Sequence, residues 1–214
     1  MKLYSYWRSS CAYRVRIALG LKGLAYEYAA VHLLRDGGQQ SSAAFGELNP
    51  QRQVPVLELD EDGQIVRLVQ SMAIIEYLDE RYPAPPLLPA SASDRAHVRA
   101  LAELVNSGIQ PLQNIATFNQ LKAQGAEPEP WAKHFISAGL KSLEALAAPR
   151  AGQFLFGDTP TLADLFLVPQ MYNARRFSLS LDAFPTLVRA DANANELEAF
   201  ERAHPSAQPD AEPV

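Results

Sequence analysis

The spacing of hydrophobic positions changes along the chain. Up to about residue 80, short apolar runs alternate with helical patterns, and after about residue 90 one helical pattern follows another. The first arrangement indicates βα units, whereas a series of amphipathic helices indicates a helical bundle. The pattern therefore predicts an α/β domain at residues 1–82, a linker at 83–92, an all-helical domain at 93–204 and an extended or disordered tail at 205–214.

The first domain is predicted to open with a strand, a helix and a second strand. The strands are expected at residues 3–6 and around 25–31, with the helix at 11–21 between them. Two apolar runs, 54–59 and 64–68, then flank an acidic loop and predict an antiparallel hairpin. Because proline cannot donate to a strand ladder, a cis Val54-Pro55 peptide is one way to open this hairpin.

Capping residues predict two further helix starts. Ser71 is expected to cap a helix that ends before the proline-rich linker. Thr161 and Asp164 form a capping-box pattern, with aspartate in place of the usual glutamate or glutamine. Apolar residues at spacings of three and four predict bundle helices around 98–105 and 131–146.

Composition and charge exclude several classes of protein. Hydrophobic residues make up 48% of the 214, which supports a sizeable core and excludes disorder for most of the chain. The net charge of −5 and the lack of a basic block argue against a nucleic-acid partner. No apolar run of about 18 residues or signal-peptide pattern is present, so we expect a cytoplasmic protein without a membrane partner.

Cysteine and histidine usage argue against disulfides and metals. The single cysteine, Cys11, cannot form a disulfide within one chain, and a reducing compartment is the natural interpretation. The four histidines are far apart and none has the spacing of a metal-binding pair. We therefore expect no metal site.

A local excess of positive charge marks the first 26 residues. They contain five basic residues and no acidic one, in a chain that is acidic overall. Arg8 precedes Ser9, Ser10 and Cys11 at a predicted strand-to-helix junction, where backbone N–H groups favour a thiolate or a carboxylate. The alternative is that a serine simply caps the helix and the arginines are solvated. Spacing alone does not separate the two.

Cys11 has two possible roles. A thiol at a helix start near an arginine has a lowered pKa and could be a nucleophile. A lone cysteine is equally a small core residue, and no histidine lies near it in sequence. We therefore favour a structural or modulating role over a catalytic one.

Three further groups carry candidate binding residues. Gln70 and Ser71 open a helix and could hold a small carboxylate, although an ordinary helix cap explains them as well. Two adjacent guanidinium groups, Arg175 and Arg176, could clamp a substrate carboxylate or lie solvated at the surface. The amides of the segment 110–114 suit either a polar core or a ligand contact.

Taken together, these motifs resemble the glutathione transferase superfamily. Residues 9–19, SSCAYRVRIAL, look like the signature of its zeta class. The similarity continues over nearly the whole chain, through segments that include 36–40 (DGGQQ), 48–50 (LNP), 53–55 (QVP), 70–71 (QS) and 167–170 (LVPQ). The stretch 9–19 is specific to the class, whereas Val-Pro and Gln-Ser occur across the superfamily.

The resemblance implies a fold, a cofactor and an assembly. The fold would be α/β plus all-α, with a thioredoxin-like N-terminal domain that binds glutathione and an all-helical glutathione-transferase C-terminal domain. A homodimer is expected. The implied glutathione contacts are Ser9, whose hydroxyl would stabilise the thiolate, together with Gln40, Val54, Gln70, Ser71, Gln110 and Asn114.

The resemblance also implies a reaction. It is the glutathione-dependent cis–trans isomerisation of maleylacetoacetate to fumarylacetoacetate, a step of aromatic amino-acid breakdown, by reversible thiolate addition. Ser9, Ser10 and Cys11 would form the catalytic segment, and Arg8 and Arg176 would anchor the carboxylates of the dicarboxylic keto-acid. Arg175 is a weaker candidate, since the family has an acidic residue there. Tyr13 replaces a customary tryptophan.

Other activities fit the same motifs. Maleylpyruvate isomerisation uses the same thiol chemistry on a shorter keto-acid, and glutathione could instead displace halide from α-halo acids. A non-catalytic module is disfavoured, because Ser9, Gln70 and Ser71 are all present.

Overall fold

The protein folds into two compact units. A computed structural model describes residues 1–213. The first unit contains Met1–Pro85 together with the segment that begins at Glu198, and the second contains Pro86–Leu197. The boundary near Pro85 falls inside the predicted linker. The return of the chain to the first unit at Glu198 was not predicted.

A four-stranded mixed sheet forms the centre of the first unit. Its strands are β1 (Lys2–Ser5), β2 (Glu27–Ala30), β3 (Val56–Glu61) and β4 (Gln64–Val69). The spatial order is β2-β1-β3-β4, in which β1 pairs parallel with β2 and antiparallel with β3, and β3 pairs antiparallel with β4. The predicted strands and hairpin are confirmed, with ends shifted by at most two residues.

Three helices accompany this sheet. They are α1 (Ser10–Leu21), α2 (Ala43–Leu48) and α3 (Ser71–Arg81). The parallel β1–α1–β2 unit followed by the β3–β4 hairpin and α3 is the thioredoxin-like topology that the sequence predicted.

Two arginines of α1 are buried, contrary to the solvated alternative. Arg14 is fully buried, and Arg16 is 2% exposed. Arg16 donates to the Ser5 hydroxyl at 3.1 Å and to the carbonyls of Trp7 and Ala203, each at 3.0 Å. Burial lowers the pKa of the Arg16 guanidinium. The two side chains are therefore internal donors, and they do not add to an exposed anion-attracting surface.

The second unit is helical, as predicted. Its helices are α4 (Ala92–Glu103), α5 (Ile115–Ala123), α6 (Pro128–Ala147), α7 (Leu162–Arg176) and α8 (Pro185–Asn195). Between α4 and α5 the chain forms a π-helical turn at Leu104–Ile109 and a 3-10 turn at Gln110–Gln113. Across residues 1–213 no helix is both long and apolar enough to span a membrane.

The predicted capping box at the start of α7 is confirmed. The Asp164 carboxylate accepts from the Thr161 N–H at 2.8 Å, from the Thr161 hydroxyl at 3.0 Å and from the Leu155 N–H at 2.9 Å. Burial raises the pKa of Asp164 to about 6, although these three donors act in the opposite direction.

The C-terminal segment packs on the first unit. Helix α9 (Glu198–Ala203) lies against α1, so closely that a Cβ on Gly20 would stand 3.3 Å from the Ala199 backbone. A 3-10 turn, Pro205–Ala207, follows. Of the tail predicted to be extended or disordered, residues 205–207 are instead this 3-10 turn, and residues 209–212 lack regular secondary structure but contact the first unit as described below. Val214 lies outside the described residues.

Candidate functional site

The three candidate catalytic residues lie at the N-terminus of α1. Ser9 occupies the cap position, and its Oγ accepts from the Ala12 N–H at 3.2 Å. Ser10 is the first helical residue, and Cys11, which is half-buried, is the second. A helix N-terminus carries partial positive charge, so it favours an anion at this point. The sequence prediction that these residues form one segment at a helix start is confirmed.

Arg14 connects this helix start to that of α3. Its guanidinium lies 3.8 Å from the Cys11 sulfur and donates to the Ser71 hydroxyl at 3.2 Å. Ser71 is itself 3% exposed. This contact has no direct signal in the sequence, although apolar neighbours on both sides of Arg14 indicate a helix that is enclosed all round.

The start of α3 differs from the prediction. The cap residue is Gln70, not Ser71, and its side chain makes no capping bond. Gln70 has φ +70°, and a non-glycine residue in this region costs roughly 1–3 kcal/mol and is characteristic of ligand sites. Its side-chain amide donates to Gln51. The Ser71 hydroxyl serves Arg14 in place of the predicted cap.

The Val54-Pro55 peptide is cis. Val54 is 7% exposed and belongs to the core cluster that contains Tyr6 and Trp7. The loop before it is ordered by Asn49, which accepts from the Gln51 N–H at 3.0 Å and donates to the Gln53 carbonyl at 2.8 Å. Asn49 therefore fixes the approach of the chain to Val54.

Gln40 lies on a tight turn that requires glycine. Gly38 has φ +92°, and a Cβ there would meet the Leu33 carbonyl oxygen at 2.8 Å. The Gln40 side chain donates to that same carbonyl at 3.3 Å. Its Oε1 is buried and accepts no hydrogen bond within the described residues. An orphaned acceptor of this kind is what a bound N–H group would satisfy.

Arg8, which directly precedes Ser9, is half-buried. Its guanidinium lies 5.1 Å from the ring centre of Trp7, which is cation–π distance. Arg8 thus remains beside Ser9, as the sequence indicates.

In the second unit, Arg176 is the last residue of α7 and hydrogen-bonds to a series of side-chain amides. The exposed Arg176 guanidinium donates to Asn173 at 2.8 Å, and Asn173 donates to Gln113 at 3.2 Å. Gln113 then donates to Gln170 at 2.7 Å. Asn173 and Gln170 are buried. Sequence reasoning missed the role of Asn173, whereas Gln113 is one of the amides of 110–114 for which a polar core was one of two predicted roles.

Arg175 is held differently from its neighbour. It forms an ion pair of 2.5 Å with Asp191, whose side chain is 2% exposed. Burial raises the pKa of Asp191, and Arg175 opposes that shift. The guanidinium therefore compensates a buried charge, which argues against the weaker substrate-binding role predicted for it.

Gln110 and Asn114 lie at the two ends of the 3-10 turn. The Gln110 side-chain amide donates to the Asn114 side-chain oxygen at 2.5 Å. The two candidate glutathione contacts are therefore hydrogen-bonded to each other.

The two units define the class of protein. A thioredoxin-like unit with a cis proline and a hydroxyl at the start of α1, followed by an all-helical unit, is the arrangement of glutathione transferases. Residues 3–86 match the family described as "Glutathione S-transferase, N-terminal domain". The chain is 49% identical over 217 aligned positions to a maleylpyruvate isomerase from a Ralstonia species, covering 99% of this chain and 100% of that one.

Similar solved structures identify the class within this family. One is the maleylacetoacetate isomerase of Anaeromyxobacter dehalogenans 2CP-1 with glutathione bound in the active site: 55% identity, TM-score 0.92, and coverage of 99% of this chain and 97% of that one. Another is a holo maleylpyruvate isomerase described as a bacterial zeta-class glutathione transferase: 49% identity, TM-score 0.92, and coverage of 99% and 100%. The chain belongs to the zeta class of the glutathione transferase family.

Proposed function

We propose that this protein is a glutathione-dependent cis–trans isomerase that converts maleylacetoacetate into fumarylacetoacetate. The observation that carries the proposal is the position of Ser9, whose hydroxyl lies at the N-terminus of α1 beside Arg8 and Cys11. The glutathione-bound maleylacetoacetate isomerase at 55% identity supports it. When bound, glutathione supplies a thiolate that adds reversibly to the conjugated double bond and so permits rotation about it.

Ser9 has the right chemistry to hold a thiolate. A hydroxyl has one donor and two acceptor sites, and the capping bond from the Ala12 N–H uses only an acceptor site. The same oxygen can therefore cap α1 and donate its proton to sulfur. The helix dipole and this hydrogen bond both lower the pKa of a thiol placed there. The two roles that sequence left as alternatives are thus compatible.

Cys11 suits a modulating role. Its sulfur lies 3.8 Å from the Arg14 guanidinium, which is itself engaged with Ser71. Ser10 completes the catalytic segment as the first residue of the helix. We assign thiolate stabilisation to Ser9 and a modulating role, not an indispensable one, to Cys11.

The rest of the first unit fits glutathione as a peptide ligand. The strained Gln70 and the backbone amide of Ser71 at the start of α3 are proposed to bind the γ-glutamyl end of glutathione, and the helix N-terminus at Ser71 supports this. The backbone of Val54 would pair with the glutathione backbone. The orphaned oxygen of Gln40 supplies an acceptor for a ligand N–H group.

The second unit contributes the remaining candidates. Gln110 and Asn114 are proposed as further glutathione contacts. Arg8 and Arg176 are each proposed to bind a substrate carboxylate, since guanidinium groups bind carboxylates in bidentate geometry.

Assembly, location and pathway follow as part of the same proposal. We expect a cytoplasmic homodimer that acts in aromatic amino-acid breakdown, at the tyrosine-degradation step that produces fumarylacetoacetate. Size-exclusion chromatography with light scattering tests the dimer directly.

Maleylpyruvate isomerisation is the second candidate. The 49% identity to the Ralstonia maleylpyruvate isomerase over the full length of both chains favours it. Both substrates are dicarboxylic keto-acids, so the proposed anchors suit either one.

An ultraviolet assay of the purified protein separates these activities. Maleylacetoacetate and maleylpyruvate are each supplied with and without glutathione. The proposal predicts glutathione-dependent turnover with a higher kcat/KM for maleylacetoacetate. A higher value for maleylpyruvate selects the second candidate, and no turnover of either substrate overturns both.

A further inference from the structure

Residues 209–212, here called the C-terminal strap, contact three segments of the first unit that carry proposed glutathione ligands. We infer that the strap positions these segments for glutathione, so that Asp210 and Glu212 are positioning residues of the binding site. The inference rests on the proposed function, because it takes Ser9, Val54 and Gln40 as glutathione contacts.

Asp210 holds the segment that leads to Ser9. One carboxylate oxygen accepts from the Trp7 backbone N–H at 3.1 Å, and the other accepts from the Tyr28 hydroxyl at 2.6 Å. Trp7 is buried and directly precedes Arg8 and Ser9. Burial, followed by the hydrogen bond to Asp210, raises the pKa of Tyr28, so the phenol remains a donor to this carboxylate. Asp210 therefore connects strand β2 to the turn between β1 and α1.

Ala211 extends the contact to the Val54 segment. It packs against a core cluster of the first unit. The buried members of that cluster are Tyr6, Trp7, Val31, Phe45, Val54 and Val56. Ala211 itself is only partly buried, so the strap covers one side of the core cluster to which Val54 belongs.

Glu212 holds the turn that carries Gln40. Its carboxylate is 3.2 Å from the Nε2 of His32 and also pairs with Arg35. The Nδ1 of His32 accepts from the backbone N–H groups of Leu34 at 3.2 Å and of Arg35 at 2.9 Å. Because Nδ1 is the acceptor, Nε2 carries the hydrogen and donates to Glu212. Glu212 thereby fixes both the tautomer and the orientation of the ring.

The backbone of His32 is in turn hydrogen-bonded to Gln39, which precedes Gln40 in the same turn. Its N–H donates to the side-chain oxygen of Gln39 at 2.7 Å, and the Gln39 N–H donates to the His32 carbonyl at 2.8 Å. The strap and this turn together line an open surface depression of about 360 Å³. The hydrogen bonds of Glu212 with His32 and Arg35 connect the turn to the strap across it.

A positioning role and a purely structural role predict different measurements. The strap touches Trp7, Tyr28, His32 and Arg35, and none of these is a proposed catalytic residue. Loosening it should therefore weaken glutathione binding while leaving the chemical step intact at saturating glutathione. A structural role alone would lower thermal stability without changing affinity.

The test uses the full-length protein with Glu212→Ala, Glu212→Gln and Asp210→Asn. We expect Glu212→Ala to raise the Kd of glutathione, measured by calorimetry, and its KM by about three- to tenfold, as for the loss of one charge-assisted hydrogen bond. The kcat at saturating glutathione should stay within about twofold. Glu212→Gln keeps an oxygen for His32 and should recover part of the affinity. Asp210→Asn turns a side-chain NH2 group toward one of the two donors, the Trp7 N–H or the Tyr28 hydroxyl, and so loses one hydrogen bond. It should therefore raise the Kd and KM of glutathione as well.

Glu198→Gln is the matched control. It changes an exposed carboxylate of the same C-terminal segment, which pairs only across the helix surface with Arg202, and it should leave Kd unchanged. Because Glu212 is 36% exposed, its variants should fold even if Asp210→Asn does not.

The outcomes separate the inference from the proposed function. An unchanged glutathione Kd in both Glu212→Ala and Glu212→Gln overturns the role of the strap. A wild-type protein that binds glutathione but isomerises neither keto-acid overturns the proposed function alone, since the binding measurement still tests the strap. A wild-type protein that does not bind glutathione overturns both.

Discussion

The guanidinium of Arg14 donates to the hydroxyl of Ser71, although the two residues are 57 positions apart in the chain. Both are buried, at 0% and 3% exposure. This hydrogen bond joins the start of α1 to the start of α3, the two helix ends to which we assign the thiolate and the γ-glutamyl carboxylate. Arg14 therefore sets the relative position of two parts of the proposed glutathione site.

Replacing Arg14 by lysine should separate these two helix ends. Lysine keeps the charge but lacks the planar group that reaches Ser71 and Cys11 together. We expect Arg14→Lys to lower the free energy of unfolding by about 1–3 kcal/mol, since a buried hydrogen bond is lost, and to raise the KM for glutathione. Urea unfolding and steady-state kinetics measure the two effects.

Arg67→Lys is the control for charge and size. Arg67 pairs with Glu58 on the sheet and is 48% exposed, so the change should cost less than about 1 kcal/mol. Equal losses of stability in the two variants would contradict the assigned role of Arg14.

Substitutions at Ser9 can separate capping from thiolate stabilisation. Ser9→Ala removes both functions, Ser9→Thr keeps both, and Ser9→Asp keeps a capping oxygen while placing a negative charge beside the thiol. Ser9→Ala should lose about 1 kcal/mol of stability. We expect kcat/KM to fall on the order of 100-fold in Ser9→Ala and Ser9→Asp, as for the loss of one stabilising donor, and to be largely kept in Ser9→Thr.

The measurements are thermal unfolding and the ultraviolet absorbance of bound thiolate against pH. In Ser9→Asp the melting temperature should be preserved while the pKa of bound glutathione rises. If that pKa stays at its wild-type value in Ser9→Ala, the hydroxyl does not stabilise the thiolate.

The adjacent Arg175 and Arg176 should respond differently to the same change. Arg176→Gln removes a proposed carboxylate anchor, so the KM for the keto-acid should rise about tenfold or more while the KM for glutathione is retained. Arg175→Gln leaves the buried Asp191 without its charge partner and should lower the free energy of unfolding by about 1–3 kcal/mol. Kinetics in both substrates and urea unfolding distinguish the two. If Arg175→Gln raised the keto-acid KM more than Arg176→Gln did, the carboxylate anchor would be Arg175 and the assignment to Arg176 would be wrong.

Stability should decrease as His204 becomes protonated. Burial lowers the pKa of His204, and the nearby Arg16 lowers it further. Its Nδ1 accepts from the Ser206 N–H at 3.3 Å, a bond that a fully protonated ring cannot accept. The folded state therefore binds this proton less readily than the unfolded state, so the stabilisation is present above the ordinary histidine pKa of about 6.5 and is lost as the pH falls below it.

His204→Gln should remove this contribution to the pH dependence. The free energy of unfolding, measured between about pH 7.5 and 5.5 to bracket that ordinary pKa, should fall less in the variant than in the wild type. An identical decrease in both proteins would exclude His204 as a source.

Much of the fold could be predicted because local sequence determines it. The individual strands and helix of the β1–α1–β2 unit, the turn of the hairpin and the capping box of Thr161 and Asp164 each depend on residues within a few positions of one another. The candidate segment at Ser9 could be located for the same reason, since a cap is a local feature.

The features that sequence missed depend on distant partners. The burial of Arg14 and Arg16, for which the sequence leaves a solvated alternative open, depends on distant hydroxyls and carbonyls, including the Ala203 carbonyl 187 positions from Arg16. The strap lies in the tail that prolines and low apolar content predict to be extended or disordered. Its order comes from Trp7 and Tyr28, which lie 203 and 182 positions before Asp210.

The discontinuity of the first unit has a consequence for synthesis. Residues 198–213 complete it by covering Gly20 on α1 and by accepting from Arg16, Trp7 and Tyr28. A ribosome makes this segment only after the whole helical unit has been produced. Domains fold as units while the chain emerges, so the helical unit, although second in sequence, is the first to have all its residues available. In the nascent chain, α1 of the glutathione-binding unit therefore stays partly uncovered until translation has passed Ala203.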